Sequence, residues 1–213
     1  MKAEQLETPA LVLDMDVMEE NIRAMQALLE GTGIALRPHY KSHKCVDLAW
    51  RQMEAGAKGI TCAKLGEAED LAQAGIGDIL IANQIVDPAK IARLATLAGQ
   101  CRLTVCVDDL DNVRALSRAA EAAGTTHHCL VEYDAGLKRC GARTKEAFLR
   151  LAQAVIASPG LSFEGIQAYA GNLSHEEDRE KRRREAEAVE QKLREMIAYL
   201  TDHFVSVKEV SGV

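Results

Sequence analysis

No two of the six cysteines, at positions 45, 62, 101, 106, 129 and 140, have CxxC spacing, and no histidines complete a metal-ligand pattern around them. A zinc-finger site or a redox dithiol is therefore not indicated. Several of these cysteines sit inside apolar runs, as in LTVCVD and HHCLVEYD, where a reduced thiol serves as a small buried hydrophobe. No apolar run approaches the length of a membrane span. The opening residues MKAEQLETPA contain no apolar signal region, and the chain reads as cytoplasmic. Positive charge is not in excess. The net charge of −6 gives neither nucleic acid nor an anionic membrane a reason to bind. GxGxxG and Walker motifs are missing after the first strand-like run, which weighs against a doubly wound nucleotide-binding sheet.

What is present is a regular alternation. The 213 residues, 47% hydrophobic, suffice for one large α/β core, read as a single domain over 1–213. After the opening run PALVLD, Asp16 and Glu19 fit a capping box, and Met18, Ile22, Met25 and Leu29 form a helical apolar stripe. Strand-like runs are then expected to end near Lys41, Cys62, Asn83, Asp108, Tyr133, Tyr169 and Gly212, with six helices between them. Asp87-Pro88 opens one helix with a cap and a first-turn proline. Ser174 and Glu177 fit a capping box for the charge-rich helix over 175–200, whose Arg182, Arg183 and Arg184 read as a solvated face. Near-continuous apolar strands suit a parallel sheet covered on both faces, and this order fits a (β/α)8 barrel, TIM-like. The count gives about seven of eight strands. The sequence stops at SGV, so the barrel domain is expected to be incomplete at its C-terminus.

In such a barrel, chemistry sits at the C-terminal ends of the strands. Those ends carry Lys41, Asn83, Arg139 (just past its strand), Tyr169 and Ser211. RPHYKSHK, residues 37 to 44, crowds basic side chains and two histidines at one strand end. It reads either as a surface basic patch or as a lysine kept partly neutral by nearby cations and available for a carbonyl. Composition does not choose between them. His39 and His43 could tune that lysine or move a proton, or merely bond the backbone. By themselves, Arg139 reads equally as a surface arginine and Tyr169 as a core aromatic.

Five motifs in order, TPALVLD, RPHYKSHK, CAKLGEAE, VEYDAGLKRCG and GIQAYAGNLSH, resemble the D-threonine aldolase and D-serine dehydratase family. That family belongs to the fold-type III pyridoxal-phosphate (PLP) enzymes, the alanine racemase type. The resemblance implies that Lys41 holds PLP covalently, that Arg139 lies near the phenolic oxygen of the cofactor ring, and that Tyr169 touches the cofactor. It implies that Ser211 and Gly212 begin a phosphate loop, whose backbone N–H groups cradle the anion. It also implies a C-terminal β-domain that carries a divalent metal of the manganese or zinc class. That domain is not in these residues, so no metal site is expected here. The complete protein would be a homodimer acting on a small D-amino acid. Relatives often have a polar residue after QAY, where Ala170 stands here.

The expected activity is a lyase on D-β-hydroxy-α-amino acids. The YAGNLSH run favours D-threonine aldolase, cleaving to glycine and an aldehyde. The alternatives are a D-serine or 3-hydroxy-D-aspartate dehydratase, and a non-catalytic PLP-binding homeostasis protein. As it stands, the chain is expected to be weakly active or inactive, with PALVLD unpartnered.

Overall fold

The computed structural model describes residues 3–212. Six strands, β1 (Ile60–Cys62), β2 (Asp78–Ile81), β3 (Arg102–Val107), β4 (His127–Glu132), β5 (Leu161–Ala168) and β6 (Glu209–Gly212), form one sheet in sequential order. Every neighbouring pair is parallel. The crossovers are α3 (Leu65–Gln73), α4 (Pro88–Leu97), α5 (Leu110–Ala123), α6 (Lys145–Ile156) and α7 (Arg179–Asp202). Two helices precede the sheet, α1 (Met15–Leu29) and α2 (Val46–Glu54). This is a partial TIM-like barrel.

Side chains alternate along each strand, and the two faces have different tasks. Ile79, Ile81, Leu103, Val105, Cys129, Val131, Phe163 and Ile166 face the helices and merge with Leu71, Leu94, Leu116, Phe148 and Val155 into the main core. Leu80, Cys106 and Leu130, packed with Ala82, form a separate small cluster on the inner face. Removing a leucine from such a packed site costs about 2–5 kcal/mol.

Local chemistry fixes the helix ends. Asp87 accepts from Lys90 N with Pro88 in the first turn, and Asp109 accepts from Asp111 N and Asn112 N. Gly124 ends α5 at φ 63°, the left-handed region that favours glycine. Two expected caps lie elsewhere. Asp14, not Asp16, caps α1, because Asp14 is extended and accepts from Asp16 N and Val17 N. Asp178, not Ser174, caps α7, and Ser174 instead sits in a short 3₁₀ turn, Gly171–His175, donating to Gly171 O.

The first expected strand is not a strand. Leu36 O accepts from Lys58 N and Pro38 O from Thr61 N, and a single bridge pairs His39 with Thr61. Pro38 has no N–H to return, so no ladder forms there. The chain passes from His39 straight into a 3₁₀ turn, Tyr40–Ser42. Among the described residues the strand count is therefore six plus one bridged segment. PALVLD makes no strand either, and its Leu11, Val12 and Leu13 are exposed.

The sheet still curls enough for its two edges to meet at the N-terminal end. Glu209 on β6 lies 2.7 Å from Lys58 Nζ and 3.7 Å from Arg37 Nη2, both beside β1. Gly165 on β5 sits at φ 148°, where a Cβ would fall 1.9 Å from Glu209 O, so only glycine lets β6 pair there.

Candidate active site

The C-terminal rim gathers the loops after the parallel strands. Lys41, expected at a strand end, lies instead in the 3₁₀ turn that follows the His39 bridge. His39 caps that turn, its Nδ1 accepting from Lys41 N at 3.2 Å. His43 accepts from Cys45 N in the same way, 3.1 Å, and Tyr40 lies buried edge-on to the His43 ring at 5.3 Å. Burial lowers both histidine pKa values, and at His39 the Lys41 charge adds to this. A neutral ring with Nδ1 unprotonated is what both bonds require. The two histidines hold backbone.

The two lysines of PHYKSHK differ. Lys44, at φ 49°, pairs with Glu67 at 3.4 Å, and Glu67 also accepts from Ala63 N at 2.9 Å. Burial raises the Glu67 pKa, but the Ala63 N–H and the Lys44 ammonium outweigh it and hold the carboxyl low. Lys41 is exposed and has no side-chain partner among the described residues.

Across the rim, Arg139 stands over the Tyr169 ring, Cζ 5.6 Å from the centroid. The loop that presents it is tied at both ends. Asp134 Oδ1 accepts from Gly136 N and Lys138 N at 3.1 and 2.9 Å, and Asp108 accepts from Gly141 N at 2.9 Å. Tyr169 follows β5 directly, and its ring folds back over Gly171. A Cβ there would lie 2.3 Å from the ring. A shallow concavity between these loops is lined by Glu132, Tyr133, Asp134, Ala135, Arg139 and Tyr169, among others.

Asn83 ties its own loop after β2 to the one after β1: Nδ2 donates to Ala63 O at 3.1 Å and Oδ1 accepts from Gln84 N at 3.0 Å. Ser211 and Gly212 are the last two residues of β6, paired with Gln167 and Ala168, so they lie on the same rim as Tyr169. Among the described residues no group of three or more His, Cys, Asp or Glu side chains could hold a metal ion.

Sequence reasoning missed Glu132 and Gln84. Glu132 ends β4, buried, and its carboxylate accepts from Gln84 Nε2 and from Cys140 Sγ, the latter at 2.9 Å, with Arg139 Nη2 4.0 Å away. A buried acid at the end of the apolar run HHCLVE was the available signal.

These features fit PLP. An unpaired amine suits its aldehyde, a stacked guanidinium suits an anionic ring oxygen, and a strand-end main chain suits a phosphate.

A family model described as alanine racemase, N-terminal domain, matches residues 13–212. A D-threonine aldolase of Arthrobacter sp. is 46% identical over 178 residues, covering 84% of this chain and 47% of that protein. A 3-hydroxy-D-aspartate aldolase of Paracoccus denitrificans (strain Pd 1222) is 41% identical over 214 residues, covering 100% of this chain and 55% of that protein. The crystal structure of D-threonine aldolase from Filomicrobium marinum superposes with a TM-score of 0.95 at 41% identity, covering 97% of this chain and 56% of that one. The chain spans about half the length of the curated relatives it matches.

Proposed function

From the premise that this chain belongs to the alanine racemase N-terminal domain family, we propose that it forms the PLP-binding half of a D-threonine-aldolase-type lyase. The substrate class is D-β-hydroxy-α-amino acids. D-threonine would be cleaved between Cα and Cβ to glycine and acetaldehyde. The observation that carries this reading is one rim bearing an unpaired Lys41 together with Arg139 stacked on Tyr169. The aldolase names of the relatives described above favour it over a dehydratase.

When bound, PLP supplies an electron sink for the charge left at Cα. The chain supplies the rest. Lys41 contributes the amine that holds the cofactor aldehyde. His39, neutral and bonded to Lys41 N, fixes the turn that presents that amine. Arg139 places positive charge beside the ring oxygen, and Tyr169 backs the guanidinium with its ring face. Ser211 and Gly212 would offer main-chain N–H groups to the phosphate. In the complete protein, we propose a homodimer and a divalent metal of the manganese or zinc class outside this barrel.

The test is a PLP titration followed by product analysis with D-threonine and D-3-hydroxyaspartate, with manganese present. Visible absorbance from lysine-bound cofactor and release of glycine support the aldolase. Release of ammonia with an oxo acid would replace it with a dehydratase. Bound cofactor without turnover of either substrate would favour a PLP carrier, and no bound cofactor would sink the reading.

A further inference from the structure

We propose that Gln84 and Glu132 form a positioning pair that holds Arg139 in place above Tyr169. The inference rests on reading Arg139 and Tyr169 as cofactor contacts, and it concerns how they are held there. Arg139 itself is mostly exposed and sits on a loop, so its orientation needs a fixed anchor. The anchor is a carboxylate. Glu132 is the last residue of β4, only 5% exposed, on a strand locked between β3 and β5. Each of its oxygens has a defined task. Oε2 accepts from Gln84 Nε2, and Oε1 accepts from Cys140 Sγ at 2.9 Å and lies 4.0 Å from Arg139 Nη2.

Three loops therefore converge on one buried acid. Gln84 comes from the loop after β2, Cys140 and Arg139 from the loop after β4, and Tyr169 from the loop after β5 through the stacked guanidinium. A buried carboxylate must be compensated, and here the compensation is directional. Gln84 holds one oxygen, so the other stays turned toward Cys140 and Arg139. Gln84 is itself held, because its backbone N–H donates to Asn83 Oδ1 and Asn83 Nδ2 is bonded to Ala63 O. Tyr169 is fixed separately by the absence of a Cβ at Gly171. The cation and the ring are thus aligned by two independent devices. The Cys140 thiol reports on the first. Burial raises its pKa and the bond to Glu132 raises it further, against the opposing pull of the Arg139 guanidinium.

Two readings test this in the 213-residue protein. The first uses no cofactor: Cys140 is labelled with an aromatic disulfide at pH 8 and followed by peptide mapping. Glu132→Gln should speed labelling by about five-fold, since the thiol loses its anionic acceptor. Unchanged labelling would overturn the proposal. The second is a double-mutant cycle on PLP affinity. Gln84→Leu, which keeps the carboxylate, and Glu132→Gln should each weaken PLP by about five-fold. Either should add less than about two-fold in an Arg139→Lys background, because both act through Arg139. A merely structural role would give additive losses, and additive losses would overturn the proposal. If Glu132→Gln fails to fold, Gln84→Leu carries the cycle alone. If the unmutated chain takes up no PLP, the cofactor reading falls, and the labelling rate still decides whether Glu132 anchors the Cys140–Arg139 segment.

Discussion

The two ends of the sheet's inner face treat charge in opposite ways. At the N-terminal end almost every charge is answered. Arg37 bonds Asp78 at 3.0 Å, and Glu209 takes Lys58 and Arg37. Glu164 accepts from Ser162 at 2.6 Å, His128 at 2.8 Å, Arg102 at 3.1 Å and Lys208 at 3.3 Å. At the C-terminal end Lys44 is paired with Glu67, but Lys41 has no partner among the described residues, and Arg139, mostly exposed, has only the Cys140 side chain, a carboxylate at 4.0 Å and an aromatic face. Between the two ends sit Leu80, Cys106 and Leu130. A paired, buried charge organises structure. A cation left open on a rim is available for a ligand.

The largest expected effect falls at the paired end. Glu164→Ala removes the buried carboxylate that Ser162, His128, Arg102 and Lys208 share and should cost about 3–5 kcal/mol of stability in urea unfolding. The folded fraction should still take up cofactor. Leu130→Ala, in the apolar layer between the ends, should cost about 2–4 kcal/mol, with an unchanged m-value. Arg139→Lys inverts the pattern. It should weaken PLP about ten-fold while moving stability by less than about 0.5 kcal/mol, because a flexible ammonium does not replace a stacked planar group. Lys44→Ala removes a half-exposed pair with Glu67 and should cost no more than about 1 kcal/mol.

Acid sharpens the same contrast. Burial alone would raise the Glu164 carboxyl, but its bonds to His128, Ser162, Lys208 and Arg102 prevail and take it down to about 2. The unfolded chain then binds this proton more readily than the folded one. Its contribution is fully present above the ordinary carboxyl value of 4.5 and is lost as pH falls toward 2. His127, fully buried with neither ring nitrogen bonded, is pushed down to about 4 by burial and then by His128. Its neutral form favours folding above pH 6.5, and that contribution is lost as pH falls toward 4. Denaturant midpoints across pH should show both windows. His127→Leu should flatten the higher one and leave the lower one standing.

The parallel order of β1 to β6 was legible because each strand reads as an apolar run between capped helices. The runs ending at Cys62 and Gly212 finish where the sequence puts them. The segment at residues 35–41 was misread because its apolar start resembles a strand, while Pro38 removes the N–H a ladder needs. Helix starts at Asp14 and Asp178 were missed because neighbouring Asp and Ser residues compete for the same cap. Lys41, Arg139 and Tyr169 could be placed at the rim from their motifs. The Gln84–Glu132 bond could not, because its partners are 48 residues apart and meet only through sheet register. The histidines gave a chemical signal in sequence, yet backbone N–H groups take their Nδ1 atoms.

The unpaired lysine on the C-terminal rim is expected to be the one that meets the cofactor. This is tested most directly by saturating the protein with PLP, reducing with borohydride and mapping the modified peptide. A single stable adduct on Lys41, absent from Lys41→Ala, is expected. A principal adduct on Lys44, held by Glu67, or on Lys58 or Lys208 at the opposite end, would contradict it.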